Sequence, residues 1–233
     1  MILNHLFQIW CTYYRSEGNT FFKNKQYKEA IQKYTEAIAL DQGDVTFYSN
    51  RSACYAALNM WNEAAEDGRQ CIMTDKSFVK GYFRQALGLQ NLGNLDAALD
   101  AVKRGLGIDS QNADLKKMSR EIEEAQRLKK VEAAIAQAQS QEADRDYGAA
   151  VKTIDAALRL DPTNSTLNKL MDKVRPLHEK SEKQRVSTLD PKERLKEEGD
   201  NLFKAANFEA AIKAYTKCLD SITNKVRTSS YLR

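Results

Sequence analysis

A 34-residue period constrains this 233-residue chain more than any other feature of it. Shifted against itself by that length, the sequence aligns three consecutive blocks at 11–44, 45–78 and 79–112, a fourth at 131–164 and a fifth that begins at 192. Self-similarity at a fixed period of this size is the mark of stacked supersecondary units. The eighth position of each block is small: Gly18, Ser52, Ala86, Ala138 and Gly199. The twentieth is alanine throughout, at Ala30, Ala64, Ala98, Ala150 and Ala211. The twenty-seventh is small again, at Ala37, Cys71, Gly105, Ala157 and Cys218. Large apolar residues hold the fourth position (Tyr14, Tyr48, Tyr82, Leu195) and the eleventh (Phe21, Tyr55, Leu89, Leu202), whereas Ala134 and Gln141 make the fourth block degenerate.

Positions four, eight and eleven fall on one face of a helix, and positions twenty, twenty-four and twenty-seven on one face of a second. Small residues at eight, twenty and twenty-seven let the two axes approach while larger side chains fill the space between them. A single such hairpin cannot bury its own apolar face, so neighbours must stack on it. Composition agrees: 10 Gly and 3 Pro are too few for a turn-rich β-sandwich, and Ala, Lys, Glu, Leu and Gln abound, all strong helix formers. The expected fold class is all-α.

This pattern resembles the tetratricopeptide repeat. The resemblance implies a solenoid of helix hairpins, wound as a right-handed superhelix, whose first helices line a concave groove. Residues 1–130 read as a three-repeat module, with 113–130 as a capping helix that keeps helical spacing through Leu115, Met118, Ile122 and Leu128 and can run on into the fourth block. Residues 131–186 read as the degenerate repeat and a charged helix, kinked or broken at Pro176. Residues 187–191 read as a linker, and 192–233 as the start of a second tetratricopeptide module. That second module stops where its next first helix would be under way and reads as truncated. The apolar start, MILNHLFQIWCTYY, has no basic n-region and no small-residue cleavage site; a helix extension or an imperfect gene start is expected there.

Several function classes drop out. No apolar run reaches the roughly 18 residues that a membrane span needs. A net charge of +4 gives no reason to expect nucleic acid. The four cysteines form no CxxC pair, so no zinc site is expected; free thiols in a reducing, cytoplasmic compartment fit better. Cys71 and Cys218 share one small packing position. His5 and His178 lie far apart, with surface or packing roles. There is no P-loop, nucleophile elbow or metal spacing, so neither enzymatic activity nor a cofactor is expected within this chain.

Polar residues on the inner face of the first helices have no packing reason to be there. Arg15 and Asn19 sit four apart, as do Lys80 and Arg84, and that spacing puts each pair on one helix face. Asn50 and Arg84 occupy the same repeat position one hairpin apart. The five residues can converge as three cations and two amides. This constellation resembles the two-carboxylate clamp of co-chaperones that bind the C-terminal tails of the seventy- and ninety-kilodalton heat-shock chaperones. Asn19, Asn50, Lys80 and Arg84 match the family pattern, and Arg15 stands where the family has lysine. The resemblance implies an adaptor for acidic tails ending in Glu-Glu-Val-Asp. An alternative is the targeting module of a larger enzyme or J-domain protein. A C-terminal Asp offers two carboxylates, both ionised near neutral pH, and each can accept charge-assisted hydrogen bonds. Residues 1–110 carry 12 basic and 12 acidic side chains, so the cluster is local. Phe22, Ala53 and Ala56 are expected beside it, where they could take an apolar side chain of the peptide; the alanine pair looks more like the seventy-kilodalton-binding type. In the fifth block Lys196 matches the first clamp cation, but Asp200 stands where asparagine is expected. As a possible second clamp, that module either binds something else or has a different ligand chemistry, or else Asp200 is a surface residue of a structural repeat.

Overall fold

The computed structural model describes residues 2–230, with the side chains of 8–221. His5 therefore lies outside the described side chains. Eleven helices make up the described chain: α1 (Ile2–Lys23), α2 (Tyr27–Leu40), α3 (Val45–Ala57), α4 (Trp61–Thr74), α5 (Val79–Asn91), α6 (Leu95–Ile108), α7 (Ala113–Ala143), α8 (Tyr147–Leu160), α9 (Ser165–Thr188), α10 (Pro191–Lys204) and α11 (Phe208–Ser230). They pack as consecutive antiparallel hairpins, and the chain divides into a unit of residues 1–130 and one of residues 131–233.

The repeat positions account for the cores. All five alanines at position twenty are at most 1% exposed, and Ser52, Ala86 and Ala138 at position eight are fully buried. Ser52 meets its burial by donating its hydroxyl to the Ala64 carbonyl at 2.8 Å. At position twenty-seven Cys71 is fully buried, whereas Cys218 is only half-buried, because no described helix follows α11 to cover it. Both thiols nonetheless reach the same place: Cys71 Sγ lies 3.5 Å from the Val45 carbonyl and Cys218 Sγ 3.3 Å from that of Lys192. In the first unit Leu115, Met118 and Ile122 of α7 close the core over Ala98, Ala101 and Val102 of α6. Leu128, expected on the same buried stripe, is 45% exposed. It lies past the contact at which Gln126 donates to Asp96 in the first turn of α6, so no α6 surface remains to cover it. The second unit has its own core of Val131, Ala138, Ala150, Ile154, Leu167, Met171 and Val174.

Two devices repeat that the periodicity does not announce. Each hairpin turns through a left-handed residue at its fifteenth position: Lys25, Asn59, Gly93, Arg145 and Ala206, with φ between 58° and 76°. In each turn the next residue's N–H bonds five residues back, as from Gln26 to Phe21 and from Asn207 to Leu202, both at 2.9 Å. The turn residue itself bonds three back, giving the Schellman arrangement. Aspartate then ends the second helices α2, α4, α6 and α8, at Asp41, Asp75, Asp109 and Asp161. Its carboxylate accepts from a residue two further on in each case. Those four helices are each 14 residues long; the fifth block has Ile222 at this position, and α11 runs on for 23.

Two expectations need correction. Of the kink or break expected at Pro176 the break does not occur: α9 runs through it. The residue whose carbonyl loses its partner, Asp172, is exposed, so water can satisfy it. The stretch read as a linker is mostly helical: α9 extends to Thr188, α10 starts at Pro191, and only Leu189 and Asp190 lie between, with the Asp190 carboxylate accepting from the Lys192 N–H.

Burial pushes the Cys54 and Cys71 thiols and the Tyr34 phenol up to about 12. In an unfolded chain thiols ionise near about pH 8.5 and phenols near about 10. The stability these neutral groups supply is therefore complete below pH 8.5 and is lost as pH climbs toward 12. The urea midpoint should fall between pH 8 and 11, and less steeply for Cys71→Ala. Equal slopes for wild type and variant would contradict the burial of that thiol.

Candidate functional site

The site is built on the first helices of the first unit. Gly68 in α4 sits where a Cβ would come 2.2 Å from the Gln85 backbone nitrogen and 2.8 Å from the Arg84 carbonyl carbon. Its absence lets α5 lie directly on α4 and draws the stem of Arg84 into the interface. The guanidinium Cζ lies 5.9 Å from the Phe83 ring centre. Its Nε is buried without a hydrogen-bond partner. Burial pushes its pKa down, yet arginine stays protonated at neutral pH. Lys80, four residues earlier, is exposed. Among the described residues neither cation has an ion-pair partner. Together they line a cavity of about 520 Å³ with apolar walls from Phe78, Val79 and Phe83 and polar ones from Asn112, Asp75 and Asp114. The two acids are not idle: Asp75 caps the turn through Ser77, which holds its carboxyl below the usual range, and Asp114 faces the dipole in the first turn of α7.

The two amides meet. Asn50 Nδ2 donates to Asn19 Oδ1 at 3.4 Å, and the Tyr34 hydroxyl donates to the same oxygen at 2.7 Å. Burial raises the Tyr34 phenol despite the Asn50 amide beside it, so at neutral pH it is a donor. That fixes Asn19 with its oxygen inward and its amide hydrogens outward. Tyr34 itself is placed by Gly18, whose missing Cβ would overlap the ring at 2.7 Å.

Arg15 departs from a free cation. Its Nη1 lies 3.5 Å from Asp44 Oδ2, with the two side chains 42% and 26% exposed. Asp44 is the N-cap of α3, and its Oδ1 accepts from the Thr46 N–H at 2.8 Å and the Thr46 hydroxyl at 2.6 Å. A carboxylate thus stands beside Arg15, which sequence reasoning missed. The signal was an aspartate directly before the apolar start of a block.

The remaining candidates are scattered. Phe22 is exposed and stacks edge-on against Tyr27 at 5.6 Å; Ala53 and Ala56 are half-buried on α3; none of the three lines the Lys80 cavity. The groups that do line it, Phe83 and Asn112, were not anticipated. In the second unit Lys196 is exposed. Asp200 is not a free surface residue: its Oδ1 accepts from the Tyr215 hydroxyl at 2.7 Å and holds that phenol above its usual pKa, while Gly199 seats the ring. The Gly18–Asn19–Tyr34 arrangement therefore recurs with a carboxylate in place of the amide. His178 packs over Gly148. Among the described residues all four cysteines are free, no three acidic, His or Cys side chains gather as a metal site, and no helix is long and apolar enough to cross a membrane.

Residues 18–66 match the sequence family described as TPR repeat. The chain is 40% identical over 100 residues to Hsp70-Hsp90 organizing protein 3 of Arabidopsis thaliana, an alignment covering 43% of this chain and 18% of that protein. It is 30% identical over 149 residues to DnaJ homolog subfamily C member 7 of Homo sapiens, covering 64% of this chain and 29% of that one. The chain thus spans under a third of either relative's length. Among solved structures, the Hsp90 co-chaperone Cns1 from Saccharomyces cerevisiae superposes with a TM-score of 0.54 at 24% identity, over 64% of this chain and 48% of that one. That likeness is one of fold, the helix-hairpin fold of tetratricopeptide repeats, and the family match itself spans residues 18–66.

Proposed function

We propose that this chain of tetratricopeptide repeats is an adaptor co-chaperone module that binds the acidic C-terminal tails, of the Glu-Glu-Val-Asp type, of cytoplasmic seventy- and ninety-kilodalton heat-shock chaperones, and that its role is binding, not catalysis. The observation that carries this reading is Arg84: a half-buried arginine with no counter-ion among the described residues and an unmet, buried Nε, beside Lys80 on an open cavity. A buried cation without a counter-ion is costly, and an arriving carboxylate supplies what it lacks. Asn19 holds its amide hydrogens outward for a second carboxylate, Asn50 keeps one amide hydrogen beyond the one it gives to Asn19, and Arg15 adds charge. The names of the relatives point the same way.

A short disordered tail must be ordered on binding, so the affinity should be micromolar, about −8 kcal/mol. It should weaken with salt. The test is a peptide ending in Glu-Glu-Val-Asp against its C-terminal amide, measured by calorimetry. The acid should bind and the amide much less; equal affinities would remove the clamp. A second reading, a targeting module of a J-domain protein, draws on the DnaJ-named relative. It changes what the rest of the protein does, not this contact.

A further inference from the structure

We infer that Asp44 is a built-in competitor of the clamp: its carboxylate holds the Arg15 guanidinium and so lowers the affinity of the groove for an acidic tail. This rests on the clamp reading above. Asp44 divides its two oxygens between two tasks. Oδ1 is taken by the Thr46 N–H and hydroxyl, which start α3, and Oδ2 is left to face Arg15 Nη1 at 3.5 Å. The Oδ2 contact is single and long, whereas a ligand carboxylate could engage two guanidinium donors in parallel. The pair is thus weak enough to be displaced and still reduces the fraction of molecules whose Arg15 is free. Apparent affinity falls by that fraction.

Asp44→Asn and Asp44→Ser both remove the charge and keep a capping oxygen for α3. Each should bind the Glu-Glu-Val-Asp peptide about threefold to fivefold more tightly than wild type, the range expected for a partly exposed ion pair. The gain should vanish in an Arg15→Ala background, and it should shrink in high salt. Melting temperatures of the variants report the cap separately. If wild type prefers acid over amide but both Asp44 variants bind no more tightly, or gain equally without Arg15, the competitor role is wrong while the clamp stands. If wild type does not distinguish acid from amide, the clamp and the competitor fall together.

Discussion

Arg84→Ala is expected to weaken binding of a Glu-Glu-Val-Asp peptide by at least about tenfold, with helicity by circular dichroism unchanged. Charge-assisted hydrogen bonds are worth roughly 1.5–3 kcal/mol, and about 1.4 kcal/mol is a factor of ten. Arg84 should show the upper part of that range because it is half-buried on the cavity wall, unlike exposed Lys80. The same burial makes the residue a burden on the fold. Removing an uncompensated buried charge while filling its volume is commonly neutral or stabilising. Arg84→Met should therefore weaken binding as much as the alanine variant while leaving the melting temperature of the first unit equal to or above that of wild type. Calorimetry of both variants checks the two signs together. Wild-type affinity in Arg84→Ala would mean that the guanidinium does not meet the ligand.

The largest structural effect should come from Gly68→Ala. A methyl group there would meet Gln85 backbone at 2.2 Å, and a helix backbone cannot swing aside as a side chain can. Overpacking of this kind costs about 3 kcal/mol, a sizeable share of a domain stability of about 5–15 kcal/mol. The melting temperature of the first unit should drop by roughly 10 °C, and peptide binding should weaken because α5 carries Lys80 and Arg84. Gly107→Ala is the matched control. It lies in α6 with nothing near its absent Cβ, so alanine should be neutral or stabilise by up to about 1 kcal/mol through helix propensity. Similar melting temperatures for the two variants would contradict the close α4–α5 approach.

The hairpin architecture was legible because it depends on side-chain size at fixed intervals. An alanine repeated at 30, 64, 98, 150 and 211 has few explanations other than helix axes in contact. The left-handed turns were not legible, since Lys25, Asn59, Gly93, Arg145 and Ala206 share no chemistry; backbone hydrogen bonds impose the conformation. The aspartates at 41, 75, 109 and 161 could have been read from the same alignment and predict where the second helices stop. Within the candidate site, the meeting of Asn19 with Asn50 follows from repeat spacing. Its dependence on Tyr34 does not, because a tyrosine at a packing position gives no sign of where its hydroxyl points. Asp44 was missed for a related reason: a cap residue is recognised by its backbone task, and its second oxygen was free for another. Asp200 shows the opposite error. The departure from asparagine was visible, but only the Tyr215 contact shows it to be a held group.

The hairpin turns have a practical consequence. All five left-handed residues are exposed, and what specifies each turn is a pair of main-chain hydrogen bonds. The side chain there is therefore spare. Lys25 and Asn59 already carry side chains there and lie one repeat apart in the first unit, and a cysteine-coupled dye at either would ride on the solenoid without entering its core or its groove. With Cys218, the half-buried thiol, replaced and the buried Cys11, Cys54 and Cys71 slow to react, such a chain could be labelled at chosen repeats and its curvature followed by energy transfer as a tail peptide is added.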